Sequence, residues 1–287
     1  MIGTKQRTLQ ILEQYNLHAK KAFGQNFLID SNIINKIVDS ADVLSSGVIE
    51  IGPGLGAMTE ALTQKAKKVL AYEIDNDMVE ILQNNIKADN FKILNVDFLK
   101  ADLNKDLEFF DDCDRVVVVS NLPYYITTPI IFKLLASETR ITEFYFMVQK
   151  EVAQRFTGKP NTKDYNSLSV LIQYRTNAKI LFNVPRTCFH PAPDVESAII
   201  KLVKVKRDYD IANEEKFISF VQNLFALRRK TIVNNLSSKY SFSKEQISNV
   251  LIEEGFSDKA RAEELDLSEI VKIYKAFFEC WYHHLTN

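Results

Sequence analysis

Apolar residues along this chain fall into two kinds of run, one with helical spacing and one continuous. Residues 4–16 read as a short helix, and residues 30–44 space their isoleucines three to four apart, which predicts a second, capped by Asp30 or Ser31. The pattern then changes to short continuous runs rich in β-branched residues: GVIEI (47–51), KVLAYEI (68–74), FKILNV (91–96) and VVVVS (116–120). Helical spacing returns between the first three, at 57–66 and 76–87. EFYFMVQ (143–149), KILFNV (179–184) and SAIIKLVKV (197–205) add further strands, while SLSVLIQY (167–174) fits helix or strand. Short apolar strands alternating with helices predict a mostly parallel sheet covered on both faces. The polar stretch KRDYDIANEE (206–215) is the best boundary, and beyond it every periodic run reads as helix, including an unbroken EKFISFVQNLFALRRKTIVNNL. An α/β domain over 1–206 and a small helical domain over 207–287 are therefore expected.

Length and composition suit such a pair. The chain has 287 residues, and its net charge of −1 gives no hint of a polyanionic partner. The distribution says more: residues 201–240 hold nine Lys and Arg against four Asp and Glu, so a nearly neutral protein can still present a basic face. Cys113, Cys188 and Cys280 lie far apart with no metal spacing, which fits a reducing compartment. No run approaches the roughly 18 apolar residues of a membrane span and the first residues carry no apolar leader. A cytoplasmic protein without membrane or metal is the expectation.

Chemistry enters at the first strand, which runs into EIGPGLGAMTEAL. Gly52, Gly54 and Gly56 permit a tight turn and close approach of a ligand before a helix begins. Glu73 closes the second strand, where a carboxylate can accept both ribose hydroxyls, and Asp97 closes the third, within reach of an adenine amino group. Gly52-x-Gly54-x-x-Ala57 also fits the dinucleotide fingerprint, so the loop alone leaves a nicotinamide enzyme open. Two features tilt the reading to S-adenosyl-L-methionine. Glu50 places a carboxylate where a sulfonium would want one and a pyrophosphate would not, and Asp97 adds a third acidic strand end. None of the four histidines stands out as a hydride-handling group.

The fourth strand ends in Asn121-Leu122-Pro123-Tyr124. An exocyclic adenine amine is a poor nucleophile because its lone pair is delocalised into the ring. The Asn121 side-chain oxygen and the Pro123 carbonyl can accept its two N–H bonds, which draws the nitrogen toward tetrahedral, while Tyr124 stacks on the base. The nucleotide must be unpaired or flipped to enter. Orientation and charge placement carry the rate. Tyr125 reads as structural.

AFGQNFLID, EIGPGLGAMTEAL, AYEID, NLPYYITTPI, MVQKEVAQRF, CFHPAPDVESAII and FALRRKTIVNNL together resemble the small-subunit ribosomal RNA adenine dimethyltransferases of the KsgA/Dim1 family, from about residue 20 to residue 270. The resemblance implies a Rossmann-like class I S-adenosylmethionine-dependent methyltransferase domain followed by a helical RNA-recognition domain. It implies transfer of four methyl groups to N6 of two adjacent adenosines in the 3′-terminal hairpin loop of 16S rRNA, within a late pre-30S particle, by a monomer. Donor contacts then fall on Gln25, Asn26, Leu28, Glu50, Gly52, Gly54, Glu73, Ile74, Asp97, Phe98 and Asn121. Asn121, Leu122, Pro123 and Tyr124 form the catalytic motif, with Phe189 covering the other face of the base. Arg228, Arg229 and Lys230, read as a helix, match the family's basic phosphate-binding element. The alternatives are a 23S rRNA adenine N6-methyltransferase of the macrolide-resistance type, a noncatalytic assembly factor and a nicotinamide oxidoreductase.

Overall fold

The computed structural model describes residues 1–17 and 26–280, of Cys280 the backbone alone. Two compact units emerge, Met1–Ala153 with Lys179–Lys204, and Gln154–Ala178 with Val205 onward. In chain order the elements are α1 (Lys5–Gln14), β1 (Phe27–Leu28), α2 (Ser31–Ala41), β2 (Gly47–Ile51), α3 (Ala57–Lys65), β3 (Lys68–Glu73) and α4 (Asn76–Asn85). Next come β4 (Phe91–Asn95), α5 (Leu103–Asp106), β5 (Val116–Asn121), α6 (Thr127–Ala136), β6 (Glu143–Gln149), α7 (Lys150–Phe156) and α8 (Ser167–Arg175). The chain continues through β7 (Thr176–Val184), β8 (Phe189–His190), β9 (Ser197–Lys204), α9 (Glu214–Leu224), α10 (Ile232–Ser237), α11 (Lys244–Glu253) and α12 (Leu267–Lys275).

The seven-stranded sheet has the order β4-β3-β2-β5-β6-β9-β7, parallel from β4 to β6, with β9 antiparallel to β6. The continuous valines of β5 are buried without alternation, as expected of a strand covered on both faces. The chain builds outward from β2 to β4 and then returns to lay β5 beside β2, so the order reverses between these two. Ligands of open α/β sheets bind outside the carboxyl ends of the strands at such a switch point.

The local sequence holds that seam open. Direct β2–β5 pairing runs only to Ile49↔Val118. Beyond it the buried Ser120 hydroxyl accepts the Ile51 N–H at 3.2 Å and donates to the Ile51 carbonyl. Gly52, Gly54 and Gly56 then take positive φ, a region that costs other residues. A Cβ on Gly56 would meet Leu82 Cδ2 at 2.7 Å, so a side chain there would also displace this buried leucine.

The helical unit does not follow a single cut at residue 206. Residues 154–178 belong with the C-terminal helices because their aromatic side chains complete that core: Tyr165 packs edge-on to Phe225 at 5.8 Å, and Tyr174 meets Phe217 at 5.0 Å. SLSVLIQY is helical, in α8, opened by a capping box on Asn166. The predicted unbroken helix over 215–236 is divided into α9 and α10, with a turn at 225–231. Thr231 caps α10, and the buried Asn235 side chain accepts the Leu227 N–H at 3.1 Å and donates to the Leu224 and Leu227 carbonyls at 2.9 and 3.2 Å. Among the described residues no helix is long and apolar enough to cross a membrane.

Replacing Ser120 by Ala strands the N–H and carbonyl of buried Ile51, and urea denaturation followed by circular dichroism should show a loss of about 1–3 kcal/mol.

Candidate active site

A cavity of about 310 Å³ opens at the switch point, its walls supplied by the carboxyl ends of β2, β3 and β5, the turn after β4, and Asn26 with β1. Every donor-binding residue named from the sequence lines it, except Gln25, which lies outside the described residues.

Three carboxylates lie here in different states of support. Glu73 Oε1 accepts the N–H groups of Ile74 and Asp75, both at 2.9 Å, and its Oε2 accepts that of Gly54 at 3.3 Å. Burial raises its carboxyl above the ordinary range, opposed by these three donors. Asp97 Oδ1 accepts the Leu99 N–H at 2.9 Å and starts a short turn over Phe98–Lys100. Glu50 is 1% exposed and accepts a single bond among the described residues, from Thr59 Oγ1 at 2.7 Å. Burial pushes its carboxyl up to about 8, against the Thr59 bond, and the neighbouring Glu73 adds to the rise. No Lys, Arg or His is among the described lining residues. Such a lining fits a cationic, phosphate-free adenosine donor and opposes a pyrophosphate. Ile74, 51% exposed at the mouth, and Phe98, locked edge-on to Tyr72 at 5.1 Å, add apolar surface for a purine.

The motif after β5 differs in detail from its sequence reading. The Asn121 side chain lines the cavity and has no hydrogen-bond partner among the described residues. The Pro123 carbonyl does not serve as the second acceptor, because it already accepts from Ile126 N–H at 3.2 Å and Thr127 Oγ1 at 3.0 Å. Both its lone pairs close the turn into α6. The Leu122 N–H bonds the Met147 carbonyl at 3.2 Å, while its own carbonyl has no partner among the described residues. Tyr124 is fixed by its hydroxyl to buried Ser197 Oγ at 2.8 Å, and burial raises its pKa. Tyr125, taken from sequence as structural, is instead 55% exposed and lines the cavity. Its hydroxyl is shifted upward by burial and then by the charges of Glu73 and Asp97.

Two further expectations need correction. Phe189 is 3% exposed and does not line the cavity, because β8 pairs antiparallel with β1 (Leu28↔Phe189) and turns the ring into the apolar core. It presents no face to a base in this conformation. Arg228, Arg229 and Lys230 sit on the turn between α9 and α10 rather than on a helix, all exposed. Arg228 Nε also donates to Glu263 Oε2 at 2.9 Å. Sequence reading missed Thr59, Ser120 and Ser197, whose hydroxyls support Glu50, Ile51 and Tyr124; nothing local marks them.

The profile described as "Ribosomal RNA adenine dimethylase" matches residues 16–278. The chain belongs to that family. It is 47% identical over 96% of both chains to ribosomal RNA small subunit methyltransferase A of Geobacillus kaustophilus, and 45% identical over 98% of both to that of Anoxybacillus flavithermus. Among solved structures it resembles a dimethyladenosine transferase from Plasmodium falciparum (TM-score 0.71, 27% identity, 87% of this chain and 96% of that one). It also resembles the 23S rRNA methyltransferase ErmE (TM-score 0.62, 25% identity, 88% and 99%). The protein is thus an rRNA adenine dimethyltransferase, and its family and fold are those of S-adenosylmethionine-dependent methyltransferases. Among the described residues no group of three or more His, Cys, Asp or Glu is placed to hold a metal ion.

Glu50 gives the unliganded protein a pH signature. Unfolded, it titrates near 4.5; folded, near 8. The folded state therefore keeps a proton that the unfolded state loses, so this contribution is full below 4.5 and is lost as pH rises toward 8, by up to about 1.4 kcal/mol per pH unit. Glu50→Gln cannot ionise and should flatten that part of the slope, read by urea denaturation of the two proteins across this window.

Proposed function

We propose that this enzyme transfers four methyl groups from S-adenosyl-L-methionine to N6 of two adjacent adenosines in the 3′-terminal hairpin loop of 16S rRNA, as a cytoplasmic monomer acting on late pre-30S particles. The observation that carries the chemistry is the Asn121 amide, without a hydrogen-bond partner among the described residues, beside three carboxylates in a cavity without a cationic side chain among its described lining residues. The names of the small-subunit relatives favour the 16S substrate.

Bound in the cavity, the donor supplies an electrophilic methyl group on a cationic sulfur. Glu73 and Asp97 hold its ribose and adenine, with Ile74 and Phe98 against the ring and Asn26, Leu28, Gly52 and Gly54 completing the cradle. Asn121 Oδ1 and the Leu122 carbonyl accept the two N–H bonds of the target amine and aim its lone pair; Pro123 keeps the turn closed. Tyr124, anchored by Ser197, presents its ring to the base. The surplus proton on nitrogen leaves to water after transfer, so no strong base is needed. Arg229 and Lys230, with Arg228, bind RNA phosphates, an attraction sensitive to salt and indifferent to sequence.

Labelled methyl transfer to unmethylated 30S and 50S material, followed by mapping, tests the reading. Dimethyladenosine in the 3′-terminal hairpin of 16S rRNA is expected; label in 23S rRNA would keep the chemistry and overturn the substrate. Asn121→Ala should lower turnover about 100- to 1,000-fold with RNA affinity nearly unchanged, and normal turnover would remove its orienting role. Neutralising Arg229 and Lys230 should weaken RNA binding and lower its log–log salt slope by about 0.7–0.9 for each phosphate no longer neutralised, as read by filter binding at several salt concentrations.

A further inference from the structure

The donor cavity has an unbalanced charge inventory. Its lining includes Glu50, Glu73 and Asp97 and no cationic side chain among the described residues. Among the described residues, the groups that neighbouring elements bring to this cavity are acidic or neutral. The end of β3 brings Glu73 and, close behind it, buried Asp75. The turn after β4 brings Asp97, α3 brings Thr59, and the β5 side brings Asn121, Tyr124 and Tyr125. Among the described residues the buried Glu50 and Glu73 have no counter-ion, and each charge raises the cost of the other.

The hydrogen bonds identify which one yields. Glu73 accepts from three backbone N–H donors and Asp97 from the Leu99 N–H at its turn. Glu50 has the one Thr59 hydroxyl and the deepest burial of the three. A hydroxyl can rotate to accept from a neutral carboxylic acid, whereas a backbone N–H can only donate.

We infer that Glu50 carries a proton in the unliganded enzyme and releases it to solvent when the cationic methyl donor enters, so that donor binding is coupled to proton release and the less positively charged thioether product is bound with less of it. The inference rests on the donor reading above. It gives the cavity a means of telling donor from product by charge: the sulfonium replaces the proton as the counter-ion of Glu50, and a neutral sulfur does not. Below about pH 8, where burial places this carboxyl, donor affinity then rises with pH, by up to about tenfold per unit for one coupled proton. Above that value this dependence levels off.

Isothermal titration calorimetry of the full chain with S-adenosylmethionine, at neutral pH in two buffers of different ionisation enthalpy, counts the protons released. Close to one proton for the donor and clearly fewer for S-adenosylhomocysteine are expected from linkage. Glu50→Gln should abolish most of the release and flatten the pH dependence of donor affinity, the donor's own amine titration being common to both proteins. If that variant binds too weakly for calorimetry, infrared difference spectra of the wild type should show a protonated carboxyl band that disappears on donor binding. Donor binding without proton release, release undiminished in Glu50→Gln, or persistence of that band would overturn the inference while leaving the donor reading intact. No donor binding at all would overturn both.

Discussion

The short seam between β2 and β5 is the constraint on which the site depends. Main-chain pairing stops at Ile49↔Val118, and one buried hydroxyl, that of Ser120, joins the strands for the last step before they part. On one side of the gap the chain turns through three glycines. On the other it turns through Asn121-Leu122-Pro123, closed by the Pro123 carbonyl. Both turns are directed by strands buried on both faces, so the functional groups inherit the rigidity of the sheet rather than the freedom of loops.

The closing of the Pro123 turn also sorts the available acceptors. A carbonyl with both lone pairs occupied cannot orient a substrate, while the adjacent Leu122 carbonyl and the Asn121 amide are unoccupied among the described residues. Neighbouring residues of one motif thus differ, one closing the turn and two leaving acceptors open at the cavity. The two tyrosines that follow divide similarly: Tyr124 is tethered to Ser197 and half-buried, and Tyr125 stands exposed at the cavity.

In the helical unit a single buried amide has a comparable influence. Asn235 satisfies three backbone groups of Leu224 and Leu227 and so ends α9 early, leaving Arg228, Arg229 and Lys230 on an exposed turn. A turn can direct successive cations outward, whereas a helix would have spread them around its circumference. The ion pair from Arg228 to Glu263 ties one of the three to this unit and leaves Arg229 and Lys230 more available to a polyanion.

Much of this was legible in the chain itself. Strands such as 47–51 and 143–149 fall where their apolar runs place them, since consecutive β-branched and aromatic residues are stable only in a sheet covered on both sides. The glycine turn, the acidic strand ends and the Asn-Leu-Pro-Tyr motif carry their chemistry in residue type and spacing, so the residues of the cavity were nameable before its shape was known. Contacts distant in sequence settled what remained. The ring of Phe189 turns inward because β8 pairs with β1; the helix predicted over 215–236 breaks because Asn235 reaches back to Leu227. Residues 154–178 join the helical unit because their aromatics meet Phe217 and Phe225. The sequence determined which groups were present and on which strand ends, because periodicity and turn chemistry are local. Tertiary structure alone decided which lone pairs stayed open among the described residues and which carboxylate was buried deepest against a lone hydroxyl, because hydrogen-bond partners and burial are set by residues far apart along the chain.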